Sequence, residues 1–149
     1  MKVVILAGGL GTRLAEYTGS IPKPMVPIGG EPILLHIMNI YKKFGFKDFY
    51  IALGYKGYLI KKFFKKKKIK LNVKLIETGS KTLTGGRLKR LKKYIGNETF
   101  LLTYGDGVSN VNLNNLIKFH KKKKSIVTVT AVHPPARFGE IILKNNKVL

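Results

Sequence analysis

Residues 1–13, MKVVILAGGLGTR, followed by PKPM at 22–25, decide the fold of this 149-residue chain. The apolar run at 3–7 predicts a buried strand. The glycines after it let backbone N–H groups approach a ligand closely. The segment then supplies a hydroxyl and two cations, which suit phosphate oxygens; they belong to Thr12, Arg13 and Lys23. The segment therefore predicts a first strand that leads into a binding site for a nucleoside triphosphate.

Apolar strand and helix patterns alternate along the rest of the chain. Strands are predicted over 49–53, 71–76, 99–104, 126–132 and 140–143, and helices over 32–44, 58–64, 87–95 and 113–120. The third helix is expected to turn Leu88, Leu91 and Ile95 inward and Arg87 outward. The alternation indicates an α/β fold, Rossmann-like and doubly wound, with a mainly parallel sheet. One domain over 1–149 is expected, with its architecture incomplete at the C-terminal end.

Basic residues outnumber acidic ones by 29 to 7, which gives a formal net charge of +22. Lysines cluster at 61–70 and 121–124, and such a field favours anionic partners. Solvated lysine-rich faces and nonspecific nucleic-acid binding both fit this pattern. Only four of the basic residues are arginines, and aromatic residues do not interleave with the charge, so a dedicated nucleic-acid reader is disfavoured.

Cysteine is absent, which excludes disulfides and thiolate metal sites and favours a reducing cytoplasm. The longest stretch without a charged residue, 125–136, is shorter than the ~18 apolar residues of a membrane span. We therefore expect no membrane association, and we interpret the apolar start as a strand rather than a signal peptide.

Asp106 lies between two glycines, directly after the predicted strand 99–104. Ligands of open α/β sheets bind beyond the carboxyl ends of the strands, so Asp106 is expected to share a crevice with the first glycine loop. Mg²⁺ prefers one or two carboxylates plus phosphate oxygens, and Asp106 is the predicted ligand. A plain Asp-Gly turn is the alternative.

Two further segments have phosphate-binding chemistry. Lys23 lies between two prolines, which predict an extended, stiff backbone that presents its side chain. Residues 84–87, TGGR, predict either a second anion site at a helix start or an ordinary helix cap. The dinucleotide pattern G-x-G-x-x-G is excluded because residue 14 is leucine, and the Gly-Lys-Ser/Thr of a P-loop is absent after the first strand.

These strings together resemble the sugar-nucleotide pyrophosphorylases, whose signature is GGxGTRL followed by PKPM. The strings KPMVPIGGEPILLHIM, GYKGYLIKKFF, TGGRLKR, LLTYGDGV and PPARFG are similar to those of the glucose-1-phosphate cytidylyltransferases within that family. The resemblance implies a GT-A-like nucleotidyltransferase fold. It also implies transfer of a cytidylyl group from CTP to α-D-glucose 1-phosphate, giving CDP-glucose and pyrophosphate with Mg²⁺ as cofactor.

The resemblance also assigns residues. It implies Arg13 and Lys23 as catalytic residues and Asp106 as a metal ligand. The implied nucleotide-binding residues are Leu6, Ala7, Gly8, Gly9, Leu10, Gly11, Thr12, Arg13, Lys23, Thr82, Arg87 and Gly105. The sugar phosphate that attacks is mostly ionised at pH 7 because its second pKa is ~6, so no protein general base is expected.

Two departures from the family bear on activity. Family members continue well beyond position 149, and the segment 64–75 is shorter here and rich in lysine. The expectation is CTP–Mg²⁺ binding with little turnover by this chain alone, and either a homo-oligomer or a complementary C-terminal polypeptide as partner. The alternatives are a non-catalytic nucleotide or polyanion binder, and a transferase for uridylyl or thymidylyl groups.

Overall fold

The computed structural model describes residues 1–11, 19–133, 143–145 and 147–148. The strands are β1 (Val3–Leu6), β2 (Pro27–Ile28), β3 (Glu31–Pro32), β4 (Asp48–Leu53), β5 (Asn72–Glu77), β6 (Leu101–Tyr104), β7 (Leu143–Lys144) and β8 (Lys147–Val148). The helices are α1 (Ile33–Lys43), α2 (Gly57–Lys66), α3 (Thr84–Ile95) and α4 (Leu113–Lys123), with a 3₁₀ turn at Lys23–Met25. None of the helices among these residues is long and apolar enough to cross a bilayer.

Four parallel strands form the central sheet, in the order β5-β4-β1-β6. The chain runs outward from β1 through β4 to β5 on one side, and then returns to place β6 on the other side of β1. The point where the direction reverses lies between β1 and β6, where open α/β sheets bind their ligands. The α/β fold and its parallel sheet are confirmed.

The two central strands, β1 and β4, are buried on both faces, which explains why they are almost wholly apolar. Val4, Leu6 and Ala52 pack in one cluster with Leu91 and Ile95 of α3. The alternate residues of the same two strands point to the opposite face and are fully buried as well; they are Val3, Ile5, Phe49 and Ile51. The loops that follow β1 and β4 therefore start from strands packed in the core.

The chain divides into two compact units, Met1–Asn114 and Asn115–Leu149, and the first holds the central sheet. The single domain over 1–149 stays a prediction. In the second unit the strand predicted over 126–132 is wrong, since these residues form no strand and Ile126 is 98% exposed. High β propensity alone does not make a strand, because a strand needs a hydrogen-bonded neighbour. Of the predicted strand 140–143, residues 140–142 lie outside the described residues.

The connection between the glycine loop and α1 holds structure that the sequence did not indicate. Beyond the 3₁₀ turn, β2 and β3 pair as a short antiparallel hairpin. Gly29 and Gly30 link them with φ of 56° and 82°, the left-handed pair that a tight hairpin turn requires. The extended backbone predicted at Lys23 is also wrong. Met25 N donates to Pro22 O at 2.8 Å, and that bond closes the 3₁₀ turn around Lys23.

Candidate functional site

The glycine loop begins where β1 leaves the sheet. Ala7 N donates to Ala52 O at 3.0 Å, and Gly105 N donates to Leu6 O at 2.9 Å. Sheet-like pairing thus continues on both sides of β1 to the first residue of the loop. Further on, Gly11 has a φ of 69°, a conformation in which glycine is strongly favoured.

A cavity of about 300 Å³ opens at this point, between the carboxyl ends of β1 and β6. It is lined by Leu6, Ala7, Gly8, Gly9, Gly11, Lys23, Pro24, Thr82, Leu83, Thr84, Arg87, Tyr104, Gly105 and Asp106. Nine of the residues predicted to bind nucleotide therefore meet at one cavity, together with the predicted metal ligand. Leu10 is not among the lining residues and is 52% exposed. Thr12 and Arg13 lie outside the described residues.

Lys23 and Asp106 form an ion pair at the cavity, with Nζ and Oδ2 2.5 Å apart. Their side chains are 28% and 31% exposed, so both can still be reached by solvent. The pairing of β6 with β1 brings Asp106 beside the glycine loop, as the sequence predicted. The two groups predicted to bind phosphate and metal thus neutralise each other here.

Pro24 and Gly105 explain how Lys23 reaches Asp106. Pro24 is buried, and a Cβ atom on Gly105 would lie 2.8 Å from Pro24 Cγ and 3.3 Å from Ala7 Cα. Only a residue without a side chain lets the 3₁₀ turn sit this close to the end of β6. Gly105 is therefore a packing glycine that positions the turn of Lys23.

Asp106 has the kind of side chain that a magnesium site needs, a carboxylate. Mg²⁺ in nucleotide sites takes one or two carboxylates and completes its shell with water and phosphate oxygens. Asp106 supplies such a carboxylate at the cavity, and within the described residues no group of three or more His, Asp or Glu side chains gathers around a metal site. Magnesium bound here would thus depend on oxygens of the nucleotide.

Arg87 is buried, with only 4% of its surface exposed, and the prediction that it points outward is wrong. Its Nη1 donates to Leu53 O at 3.0 Å, to Thr78 Oγ1 at 2.6 Å and to Gly79 O at 2.8 Å. Its Nη2 donates to Gly8 O at 2.7 Å and to Ser80 O at 3.4 Å. One guanidinium thus joins the last residue of β4 to the loops that follow β1 and β5.

The prediction that Arg87 faces outward was wrong because it followed the general rule that charged residues on an amphipathic helix face solvent. The spacing of residues along the helix could have indicated its burial. The three buried residues of α3 lie at i, i+4 and i+8, on one face of the helix; they are Arg87, Leu91 and Ile95. Burial lowers the pKa of Arg87 and the neighbouring Arg90 lowers it further. Arginine remains charged even so, because its ordinary pKa is so high.

Thr84 and Arg87 line the same cavity as the glycine loop, and the second anion site at 84–87 stays a prediction. The guanidinium of Arg87 is buried and donates to protein oxygens, among them Gly8 O. Thr82 lies just before α3, and its Oγ1 accepts a 2.7 Å hydrogen bond from Arg90 Nη1. Arg90 Nη1 also donates to Thr78 O at 2.5 Å. Sequence reasoning missed Thr78, a fully buried polar residue directly after β5.

Comparison with known proteins finds relatives of this chain. The profile of the family described as nucleotidyl transferase matches residues 2–149. Glucose-1-phosphate cytidylyltransferase of Salmonella typhimurium is 46% identical over 171 aligned positions, which cover 99% of this chain and 66% of that protein. The probable glucose-1-phosphate cytidylyltransferase of Bacillus subtilis is 44% identical, with 97% of this chain and 65% of that protein covered.

Solved structures agree in fold. HddC from Yersinia pseudotuberculosis, in complex with GMP-PN, superposes with a TM-score of 0.71 at 37% identity, over 80% of this chain and 53% of that chain. A putative glucose-1-phosphate thymidylyltransferase from Bacillus anthracis gives a TM-score of 0.75 at 23% identity, over 99% and 62%. This chain thus spans about two thirds of the length of its curated relatives. With the parallel sheet and the family profile in agreement, the chain belongs to the nucleotidyl transferase family.

Proposed function

We propose that this chain binds CTP in the cavity between β1 and β6 and serves the transfer of its cytidylyl group to α-D-glucose 1-phosphate. The observation that carries the proposal is the meeting of Gly9, Lys23 and Asp106 at one cavity. The 44–46% identity to proteins named for this reaction supports the choice of substrates.

The chemistry is the displacement of one phosphate group by another. An oxygen of glucose 1-phosphate attacks the α-phosphorus of CTP, the bond from that phosphorus to the bridging oxygen breaks, and pyrophosphate leaves. The attacking phosphate is already ionised at pH 7, so the protein needs to align two polyanions rather than remove a proton. Lys23 offsets charge on the triphosphate, and main-chain N–H groups of the glycine loop donate to its oxygens. Asp106 is the residue to hold magnesium, which neutralises phosphate charge when bound.

The binding selectivity of the chain tests this proposal. Calorimetric titration with CTP, UTP, dTTP, GTP and ATP in Mg²⁺ should show CTP bound at least about tenfold more tightly than the others. Binding is the suitable readout because the chain spans only 66% of the length of the Salmonella relative. A preference for UTP or dTTP would instead support a uridylyl or thymidylyl transferase.

A second candidate, unselective polyanion binding, rests on the exposed lysines of α2 and the residues after it. Lys62, Lys65, Lys66 and Lys68 are all exposed. Binding through such a face would be similar for every nucleotide and for RNA, and would fall steeply between 50 and 200 mM salt. That result would contradict a selective CTP site.

Replacing Lys23 with methionine should weaken CTP binding at least about tenfold, because the triphosphate loses a cation at the cavity while the carboxylate of Asp106 remains. Lys62→Met removes the same charge from an exposed position on α2 and serves as the matched control. Its affinity for CTP should stay within about twofold of the wild type. Equal losses in the two variants would show that only net charge matters.

A further inference from the structure

We infer that Leu83 forms an apolar contact with the nucleobase, at the end of the cavity opposite Lys23 and Asp106. Leu83 lines the cavity but was not among the residues predicted to bind nucleotide. The inference rests on the proposed nucleotide site and deepens it, because it gives the base a place of its own, apart from the triphosphate.

The cavity has two ends, one on each side of β1. On the β6 side lies the ion pair of Lys23 with Asp106, which follows β6 by two residues. On the β4 side lies the start of α3. Arg87, in its first turn, donates to Leu53 O, and a Cβ atom on Gly54 would lie 2.6 Å from Arg87 Nη1. A triphosphate and metal held at the first end leave the base to extend toward the second, where Leu83 directly precedes α3.

The side chain of Leu83 is unpacked. It is 83% exposed, and no large apolar side chain in the described part of the first unit is more exposed. A single exposed leucine on an open surface is ordinary, but this one lies at a cavity, between two threonines that line it as well. A nucleobase has two apolar faces, and a base that covers the leucine would remove apolar surface of both groups from water.

Leu83 also occupies a position where leucine weakens the fold. It is the N-cap of α3, with φ of −78° and ψ of 170°, and its side chain makes no capping hydrogen bond. Serine, threonine, aspartate and asparagine are preferred at such a position, because their side chains accept from an N–H group of the first turn. Stability given up at the edge of a binding cavity is typical of residues that serve the ligand.

The backbone that carries Leu83 is held on both sides. Leu83 O accepts from Arg87 N at 3.0 Å, and the hydroxyl of the preceding Thr82 accepts from Arg90 Nη1 at 2.7 Å. The side chain is therefore presented from a fixed position before the ligand arrives, which reduces the entropy lost on binding. A fixed backbone with an unpacked apolar side chain fits a preformed wall for one face of the base.

Three ligands separate a contact with the base from a contact with the rest of the nucleotide. Leu83→Ala should weaken CTP about fivefold in calorimetric titration with Mg²⁺, because part of the apolar contact is lost. Ribose 5-triphosphate and inorganic tripolyphosphate have no base, and their affinities should stay within about twofold of the wild type. Leu83→Met keeps an apolar side chain of similar volume and should bind CTP like the wild type. Unchanged CTP affinity in Leu83→Ala, or equal losses for all three ligands, would overturn the inference.

Leu102→Ala is the matched control. Leu102 is an exposed leucine of β6 that does not line the cavity, and the substitution removes the same atoms. Its affinity for CTP should stay within about twofold of the wild type. A loss as large as that of Leu83→Ala would mean that the effect does not come from the cavity, and would contradict the inference.

Leu83→Ser tests the same residue without any nucleotide. Serine can cap α3, so the melting temperature of the free protein should rise by about 3 °C, while CTP affinity falls about fivefold as in Leu83→Ala. Thermal unfolding followed by circular dichroism measures the shift. A lower melting temperature would show that the leucine serves the fold, and would overturn the inference whichever nucleotide the protein binds.

The two proposals fail in different ways. If UTP or dTTP binds more tightly than CTP, the proposed function is wrong, and Leu83→Ala should show the same selective loss with that nucleotide, since an apolar contact does not depend on the polar groups of the base. If CTP binds selectively and Leu83→Ala binds it equally well, only the inference about Leu83 is wrong. Wild-type protein that binds no nucleotide would overturn both.

Discussion

Replacing Gly8 with alanine is expected to lower the free energy of unfolding by about 3 kcal/mol, because the new methyl group and the buried guanidinium cannot occupy the same space. The Cβ atom would lie 2.2 Å from Arg87 Nη1 and 2.5 Å from Cζ. The arginine must then move, which removes its hydrogen bonds to the carbonyls of Gly8, Leu53 and Gly79. Denaturant unfolding followed by circular dichroism measures the loss.

Gly9→Ala is the matched control, since it adds the same methyl group one residue further along the chain. Nothing lies within 4 Å of that position, and the φ of Gly9 is not in the left-handed region. Its stability should stay within about 0.5 kcal/mol of the wild type, while its affinity for CTP falls because the methyl group enters the cavity. Equal stabilities of the two variants would mean that Arg87 does not pack against Gly8.

Replacing Asp106 with asparagine should change CTP binding in opposite directions with and without magnesium. In EDTA the affinity should rise about fivefold, because Lys23 is released from its 2.5 Å ion pair and a negative charge leaves the cavity. In saturating Mg²⁺ the affinity should fall about 100-fold relative to the wild type, because the carboxylate proposed to hold the metal is gone. Calorimetric titration under both conditions measures these changes.

Asp48→Asn provides the control for net charge. Asp48 is the other aspartate of the chain, lies at the start of β4, and accepts a hydrogen bond from Asn72. Its substitution should leave CTP affinity within about twofold in either condition. If Asp106→Asn binds CTP more weakly in EDTA, the Lys23–Asp106 pair does not compete with the nucleotide. If it keeps its full response to Mg²⁺, Asp106 does not hold the metal.

Much of the site could be predicted because its parts follow from strand order. An apolar run before a glycine loop, and a second one before Asp106, define two parallel strands whose carboxyl ends meet. Once β6 pairs with β1, Asp106 must lie near the loop. Lys23 was found by its chemistry and its neighbouring prolines, although its backbone forms a 3₁₀ turn and not the expected extended segment.

Arg87 shows where prediction from the sequence failed. Its acceptors are mostly backbone carbonyls. Because every residue has a backbone carbonyl, the amino-acid sequence does not indicate which of them will accept a hydrogen bond from the arginine. Their convergence depends on the ends of three strands that are far apart in the chain. The strand predicted at 126–132 failed for a related reason, because the identity of the residues says nothing about whether a neighbouring strand is present to pair with them.

The contact of Gly8, Gly54 and Arg87 also restricts how this chain can evolve. A side chain at either glycine would collide with the arginine and also with the other glycine's backbone, since a Cβ atom on Gly8 would lie 2.8 Å from Gly54 N and one on Gly54 would lie 2.6 Å from Gly8 O. A substitution at either glycine should therefore be harmful, and loss of the arginine should not make it tolerated. Homologous sequences should therefore keep glycine at positions 8 and 54, including where the arginine is replaced.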